Sequence, residues 1–552
     1  MLLGIDVGGT FTDAVLLAEE RLLAQVKVPT TQDDVLSCLL SALDGVLPQS
    51  AEELRAITRV VISSTLVTNA LTEGKLRPAL LAVITGPGMN ISGRVPVQPY
   101  YLSGYVDHRG KLVADIDWQE QQELLARRGS GACAVSGKFA VREPQLEHAA
   151  ASKLSRLGYE KVFLGSELSG ELNFMRRTNS AYFAAQVYEL FRHFAGQITD
   201  AVCERGVQAP VYILKADGGT LPLEEAVEQP VEAIFTGPAA SVLGIEALAA
   251  PELNSISLDV GGTTTDIAFW EQGAPLMAKR GAVLNGYPTA VRAFHMRSVG
   301  IGGDSRIRRV ENGEYLVGPE REGVAAALGG KQATLTDALN VAGYVSLGDV
   351  SRSEAALRVF GGSPEAEARL IVAAATKAIA DVIREMLAEW AKQPVYTVDD
   401  VLKGTDFVPA QLIGVGGGAS GLVRALGELL ELPVTIPLGA MVANAIGAAV
   451  ARPTLSAGLR ADTTESYYII PEAGERAPLP RGFGKQMAQE LLGRWLREKT
   501  TSWLLPDQDV ELIGWEHFPT LHGYYESGDI YSLRMQLKPG ILYRVQGREV
   551  SF

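Results

Sequence analysis

Cysteine and histidine are scarce in this chain, and basic charge is in the minority. Among 552 residues there are three cysteines, Cys38, Cys133 and Cys203, scattered and odd in number. That usage excludes a disulfide scaffold, has no zinc-like spacing, and leads us to expect a reducing cytoplasmic location. Lys and Arg total 50 against 64 Asp and Glu, a formal net charge of −14. Such a balance repels polyanions, so neither nucleic acid nor an anionic membrane is an expected partner. No apolar run is long enough to span a bilayer. No secretory leader is expected either, because Met1-Leu2-Leu3 runs straight into a motif that cleavage would destroy. G-x-x-x-x-G-K-[S/T] is missing, which excludes a P-loop. What remains is globular: 47% apolar, 21% charged, and long enough for more than one domain.

Against this background one octapeptide is written twice. Asp6-Val7-Gly8-Gly9-Thr10-Phe11-Thr12-Asp13 recurs as Asp259-Val260-Gly261-Gly262-Thr263-Thr264-Thr265-Asp266. Apolar runs flank each copy, so each reads as strand, Gly-Gly turn, strand. Two copies predict a duplicated domain whose halves face each other across a cleft. Gly8, Gly9, Gly261 and Gly262 lack a Cβ, so their amides can approach phosphate oxygens. Thr10, Thr12, Thr263 and Thr265 add hydroxyl donors. Asp6 and Asp259, at the strand ends, repel phosphate unless Mg²⁺ lies between, which makes them the expected metal ligands and catalytic carboxylates. Asp13 and Asp266 are read as braces of the turns.

A third glycine cluster, Gly414-Val415-Gly416-Gly417-Gly418-Ala419-Ser420-Gly421, satisfies G-x-G-x-x-G without a clean βαβ context. Gly416, Gly417 and Gly418 are expected to pack flat against adenine and ribose, with a helix starting near Leu422. Thr236 to Gly244 and Gly439 to Val450 read as small-residue helices able to cross at backbone distance. Gly302, Gly303 and Asp304 follow the second hairpin and are expected in the cleft, Asp304 as a base or a support to the metal.

The order of these blocks resembles the actin/hexokinase/Hsp70 superfamily. Within it, the wording is similar to the A subunit of the hydantoinase/5-oxoprolinase family, related also to acetone carboxylase subunits. Besides the two octapeptides, the resemblance rests on Thr65-Leu66-Val67-Thr68-Asn69-Ala70-Leu71, Val106-Asp107-His108-Arg109-Gly110 and Lys215-Ala216-Asp217-Gly218-Gly219. It continues through Thr236-Gly237-Pro238-Ala239, Ser298 to Ser305, Val317-Gly318-Pro319-Glu320, Leu335-Thr336-Asp337-Ala338 and the Gly414 cluster, ending near residue 452. The resemblance implies an α/β fold of two RNase H-like domains, 1–200 and 201–452, facing across a nucleotide cleft. A C-terminal α+β region, 453–552, is appended. It implies ATP and Mg²⁺ as cofactors, a cyclic amide substrate such as a hydantoin or 5-oxoproline, and a B-type partner subunit that opens the ring. Homo-oligomerisation is compatible with it. Thr65 and Asn69 fall where the family's substrate side begins. Glu167, within Gly165-Ser166-Glu167-Leu168-Ser169, echoes a family H-E-x-S element and is expected as a substrate contact.

The chain departs from the family pattern in places. Ile62-Ser63-Ser64-Thr65 stands where the family writes H-G-T-T. His295 and Arg297 replace a D-x-H pair, Gly302-Gly303-Asp304-Ser305 replaces a Gly-Gly-Gly-Ser run, and Gly323 to Gly330 lacks the family's Cys and Pro. These changes touch the substrate side and any zinc site, and leave the phosphate motifs intact. Two other functions fit the same residues: the nucleotide subunit of an ATP-dependent ketone carboxylase, and a nucleotide-gated binding protein without catalysis.

Alternating strand signals (Val60–Ile62, Ala79–Ile84, Ala132–Val135, Val162–Leu164, Val211–Leu214) and helix signals (Asp34–Val46, Arg177–Ala195) predict the α/β class. A helix from Glu365 to about Trp390 carries a stripe of Leu370, Ile371, Ala374, Ala378, Ile379, Val382, Met386 and Trp390, with Ser363 as its cap. After Pro453 a strand at Tyr467–Ile470 and a helix near Gly484–Arg497 are expected, with no chemistry assigned.

Overall fold

The computed structural model describes residues 1–31, 34–126, 129–311, 313–392, 407–503, 509–522 and 525–546. The first octapeptide is a hairpin of strands Leu2–Val7 and Phe11–Ala18, with Asp6 opposite Asp13 and Val7 opposite Thr12. The second repeats it residue for residue: Ser255–Val260 pairs with Thr265–Glu271, Asp259 opposite Asp266 and Val260 opposite Thr265. Duplication extends past the hairpins. Leu2–Val7 pairs in parallel with Arg59–Ser64, and that strand with Val211–Leu214. Correspondingly, Ser255–Val260 pairs in parallel with Gln411–Val415, and that strand with Val434–Thr435. An antiparallel hairpin continued by parallel strands, with helices in the crossovers, is the RNase H-like arrangement, present here twice.

The expected division at residue 200 falls inside the helix Phe174–Glu204. Val211–Leu214 and Thr220–Pro222 lie beyond that point yet complete the first sheet. Strand pairing is non-local, so position along the chain does not tell which sheet a strand joins. Between Leu80 and Leu164 the first half carries an inserted parallel sheet, Lys161–Leu164, Ala132–Gly137, Leu80–Ile84 and Tyr100–Tyr101. The helix Phe174–Glu204 runs well past the Arg177–Ala195 expected, because its buried Phe191, Phe194 and Ile198 join one core with the first sheet.

In the second half the helix Pro364–Ala391 is capped by Ser363, whose hydroxyl accepts from the Ala366 amide at 3.3 Å. Its buried face is Ala368, Ile371, Val372, Ala375, Ile379, Ile383 and Met386. Leu370 and Ala378 instead face solvent, a rotation of the expected stripe by part of a turn. The helix after the third glycine cluster begins at Ala419, three residues before Leu422. The segment 439–450 is a single turn, Ala440–Val442, followed by the helix Ala443–Val450.

That helix and Thr236–Leu248 cross at backbone distance. A Cβ on Gly447 would meet the Ala240 carbonyl at 2.1 Å, and one on Gly244 would meet the Ala443 carbonyl at 2.2 Å. A Cβ on Gly4, inside the first strand, would lie 2.1 Å from the Ala445 carbonyl. The crossing thus sits directly on the first sheet and ties the two halves together.

The appended region is a five-stranded antiparallel sheet, built on Ser456–Asp462 and the hairpin Val510–His522/Tyr525–Leu537, with the helix Lys485–Thr500 on one face. This is an α+β unit as expected. Its last segment leaves the sheet: the Leu542 amide donates to Val450 and the Val545 amide to Ala247, beside the helix crossing. Among the described residues no helix is long and apolar enough to cross a membrane.

Candidate nucleotide site

Both hairpins end at one cleft. In the first sheet Asp6 lies at the carboxyl end of its strand, and in the second sheet Asp259 lies at the equivalent place. Ligands of open α/β sheets collect at this edge, where strand ends leave a crevice between crossovers. The cavity there is about 350 Å³, bounded by both Gly-Gly turns, Thr10, Thr263, Thr65, Gly237, Pro238, Gly303, Asp304 and Gly416 to Gly418. The turn tips nearly touch: a Cβ on Gly262 would lie 3.0 Å from the Thr10 methyl. Gly9 and Gly417 face open space, leaving room for an incoming group at backbone distance. Gly416 is required differently. Its φ is +91°, and a Cβ would strike Asp259 Oδ1 at 2.5 Å.

Asn444 lines the cleft with both carboxylates, and its Nδ2 donates to Asp259 Oδ2 at 2.9 Å. Burial pushes the Asp6 carboxyl up to about 7, opposed by hydrogen bonds from Ser63 and Asn444 and reinforced by Asp13. Asp259 is likewise pushed to about 7, first by burial, then by the charge of Asp266. Two acceptor atoms here are buried without a partner, Asp6 Oδ1 and Asn444 Oδ1. Buried acceptors are ordinarily satisfied. A pair of unsatisfied oxygens between two carboxylates fits a hard divalent cation, which takes oxygen ligands and neutralises the pair. The donor set therefore suits Mg²⁺, with Asp6, Asp259 and the Asn444 oxygen as its neighbours. Among the described residues no group of three His, Cys, Asp or Glu gathers into a metal cage. His295 lies elsewhere, packed 5.2 Å from the Trp390 ring, while Arg297 pairs with Glu389 at 2.6 Å.

Several expected residues do other work. Thr12 is fully buried and bonds the Thr30 hydroxyl at 2.9 Å; Thr265 is fully buried and donates to the Ile301 carbonyl at 2.6 Å. Their hydroxyls face the sheet interior, because alternate residues of a strand point to opposite faces. Gly302 is packing: a Cβ would lie 2.6 Å from the Thr263 amide, and its own amide donates to Ser305 Oγ. Asp304 lines the cleft, but its Oδ2 is held by Arg321 at 2.8 and 3.0 Å, which opposes the upward push of burial. Thr65 lines the cleft, whereas the Asn69 amide is spent on the Thr65 hydroxyl at 3.3 Å. Glu167 is in neither place; it pairs with His148 at 3.1 Å and borders a different cavity.

Sequence reasoning passed over Lys27 and Asn444. Lys27 stands opposite Asp13 in the strand register and pairs with it at 2.7 Å, so Asp13 ties its strand to the third strand of the sheet, Arg21–Pro29. Only the third strand's register signals Lys27. Asn444 had a plainer mark, as the one polar side chain in Ala440 to Val450.

Duplicated RNase H-like halves, with glycine-tipped hairpins meeting at a pair of carboxylates, define a protein of two such halves around one cleft. The chain belongs to the hydantoinase/oxoprolinase family: the family's N-terminal region matches residues 2–158 and its hydantoinase/oxoprolinase region residues 177–456. It is 26% identical over 493 residues to caprolactamase subunit alpha of Pseudomonas jessenii, covering 79% of this chain and 68% of the relative. It is 26% identical over 393 residues to the acetophenone carboxylase gamma subunit of Aromatoleum aromaticum, covering 62% and 53%. An uncharacterised protein of Methanocaldococcus jannaschii is 25% identical, with 61% of this chain and 55% of that one aligned. The chain therefore spans between about half and two thirds of these relatives. Among solved structures, nucleotide-free acetone carboxylase superposes with a TM-score of 0.70 at 18% identity, over 98% of this chain and 87% of that one. The ATP-dependent caprolactamase of Pseudomonas jessenii gives 0.69 at 20% identity, over 100% and 89%. At those identities the likeness speaks for the fold.

Proposed function

We propose that this chain binds Mg²⁺-ATP between its hairpins and phosphorylates the carbonyl oxygen of a cyclic amide or imide, such as a hydantoin or 5-oxoproline. It would act as the A-type subunit of a two-component ring-opening hydrolase. The observation that carries this reading is the meeting in one cleft of buried Asp6 and half-buried Asp259, one from each half. Asn444 donates to Asp259, and two unpartnered oxygens, Asp6 Oδ1 and Asn444 Oδ1, lie beside them. In the reading, Asp6, Asp259 and Asn444 hold the cation, which supplies charge neutralisation at the transferring phosphate. Amides of Gly8, Gly9, Gly261 and Gly262 and the hydroxyls of Thr10 and Thr263 fix the phosphates in line. Gly416 to Gly418 receive the adenosine, opposite the apolar Val324, Leu328 and Leu347. Thr65 and Pro238 edge the acceptor's side. An unactivated amide resists water; O-phosphorylation makes its carbonyl carbon electrophilic and installs a leaving group. Ring opening then falls to a B-type partner.

The acetone carboxylase and caprolactamase structures are described as ATP-dependent, which supports ATP use, and the subunit names of the caprolactamase and carboxylase relatives support a partner. The acetophenone carboxylase relative also supports a second reading, in which an enol oxygen takes the phosphate. The deciding experiment is Mg²⁺-ATP hydrolysis against hydantoins, 5-oxoproline, other lactams and small ketones, with and without a B-type subunit. Stimulation by a cyclic amide, lost in Asp259→Ala, is expected. Ketone stimulation that needs bicarbonate would replace the first reading with the second. Nucleotide binding that no substrate or partner stimulates would leave a nucleotide-gated binder.

A further inference from the structure

A second cavity, of about 280 Å³, shares no lining residue with the nucleotide cleft. Its walls come from three parts of the fold. The first half supplies Lys215, Asp217 and Glu232, the second half Arg292, and the appended region Ser456, Glu472, Trp495 and Arg534. The block Lys215 to Gly219, which the cleft leaves unused, thus belongs here.

The cavity is unusual in its charge. Lys215 Nζ lies 3.2 Å from Asp217 and 3.7 Å from Glu232, with side chains only 7, 10 and 18% exposed. Arg534 pairs with Glu171 at 2.9 Å, and Arg292 donates to the Gln536 amide oxygen. Glu472 is held by the amides of Gly170 and Gly458 at 2.8 and 3.1 Å. Lys161–Glu228 and Lys499–Glu225 pairs flank the same cavity. Five cations and six carboxylates line this one small space, and they cost desolvation that well-packed apolar residues would not. Nothing in the nucleotide chemistry uses them.

The balance of signs selects the occupant. A polyphosphate would meet Asp217, Glu232 and Glu472; a polyamine would meet Lys215, Arg292 and Arg534. A small molecule with one charge of each sign is matched by both sets. We propose that this cavity binds an amino-acid zwitterion, its carboxylate toward Lys215 and Arg292 and its ammonium toward Glu232 and Glu472. Burial holds both of those carboxyls above their usual range against the opposing charges of Lys215 and Arg534, so a further cation, the ligand's ammonium, would stabilise their ionised form. The choice of occupant rests on the function proposed above for the case of a simple lactam. A hydantoin opens to an N-carbamoyl acid and an imide to an amide acid, neither of which carries an ammonium, whereas a simple lactam's ring C–N bond opens to one carboxylate and one ammonium. A free α-amino acid has the same chemistry at a shorter charge separation.

Titration calorimetry on the full chain tests this, with 4-aminobutyrate and 6-aminohexanoate, alanine, and hexanoate and hexylamine as single-charge controls. Saturable binding of a zwitterion is expected, with single-charge molecules at least about tenfold weaker. Preference for an ω-amino acid marks the ring-opened product, and preference for alanine a free α-amino acid. Glu232→Gln and Arg292→Gln should each weaken binding by about tenfold, and Ser456→Phe should block it by filling the space. Asp259→Ala, which removes the proposed phosphoryl transfer, should leave it unchanged, so the two readings fail separately. Equal binding of hexanoate, binding that survives Ser456→Phe, or no binding by any zwitterion would overturn the proposal.

Discussion

Asp6, which is buried, and Asp259, which is half-buried, are acids that a folded chain tolerates only with a counter-charge or a proton, and this shapes what single substitutions should do. Both ordinarily titrate at 3.8 and are raised to about 7. Between about pH 4 and 7 the folded, metal-free chain therefore holds protons that the unfolded chain has released. The sign follows: their contribution to stability is present below the ordinary value and is lost as the pH rises through about 7. Thermal unfolding in EDTA should show a falling midpoint across this window, and saturating Mg²⁺ should reverse the fall. Asp6→Asn removes the buried charge. It should raise metal-free stability at pH 8 by on the order of a few kcal/mol while lowering ATP turnover by about 10²-fold or more. Denaturant titration and steady-state kinetics read the two effects separately. Loss of both stability and activity would mean that Asp6 is a structural acid.

At the scale of elements, the hairpins and the helix crossing meet different demands with small residues. Gly9 and Gly417 are open to the cleft, so alanine there should fold normally and weaken nucleotide binding. Gly447 and Gly244 are closed against backbone. Gly447→Ala should cost about 3 kcal/mol by overpacking, since the atoms its Cβ would strike, the Ala240 carbonyl and the Gly244 amide, are backbone that cannot rotate aside. A denaturation midpoint within experimental error of the unsubstituted chain would show that the helices separate freely. The hairpins were legible from eight residues each because Gly-Gly between apolar runs leaves few alternatives. The long helix was legible in its cap and length, but its stripe was misjudged by part of a turn. An alanine-rich helix offers several near-equivalent apolar faces, and only its neighbours choose among them.

At the scale of the molecule, the cleft exists because two sheets, joined by the crossing at Gly4, Gly244 and Gly447, hold their hairpin tips in contact. A ligand that touches both tips binds the folded chain and not the unfolded one. Mg²⁺ with a non-hydrolysable ATP analogue at about a hundred times its Kd should thus add about 2.7 kcal/mol of stability. Equilibrium unfolding with and without the analogue measures this, and Asp259→Ala should abolish it. An unchanged curve in the unsubstituted chain would remove the nucleotide from this site.

The amino-acid sequence alone determined the duplication, the carboxylates at the strand ends and the paired glycines of the two turns. These are local patterns, written within a few residues and constrained by backbone sterics. The tertiary structure decided everything that depends on distant segments. Thr12 and Thr265 belong to the sheet interior because Thr30 and Ile301 arrive to bond them. Val211–Leu214 joins the first sheet, about 150 residues along the chain from the strand it pairs with. Asn444 bridges to an acid 185 positions away, and Arg534 closes a cavity begun by Lys161. Charge and hydrogen-bond partners are matters of a few ångströms, and no spacing along the chain encodes which remote side chain will supply them.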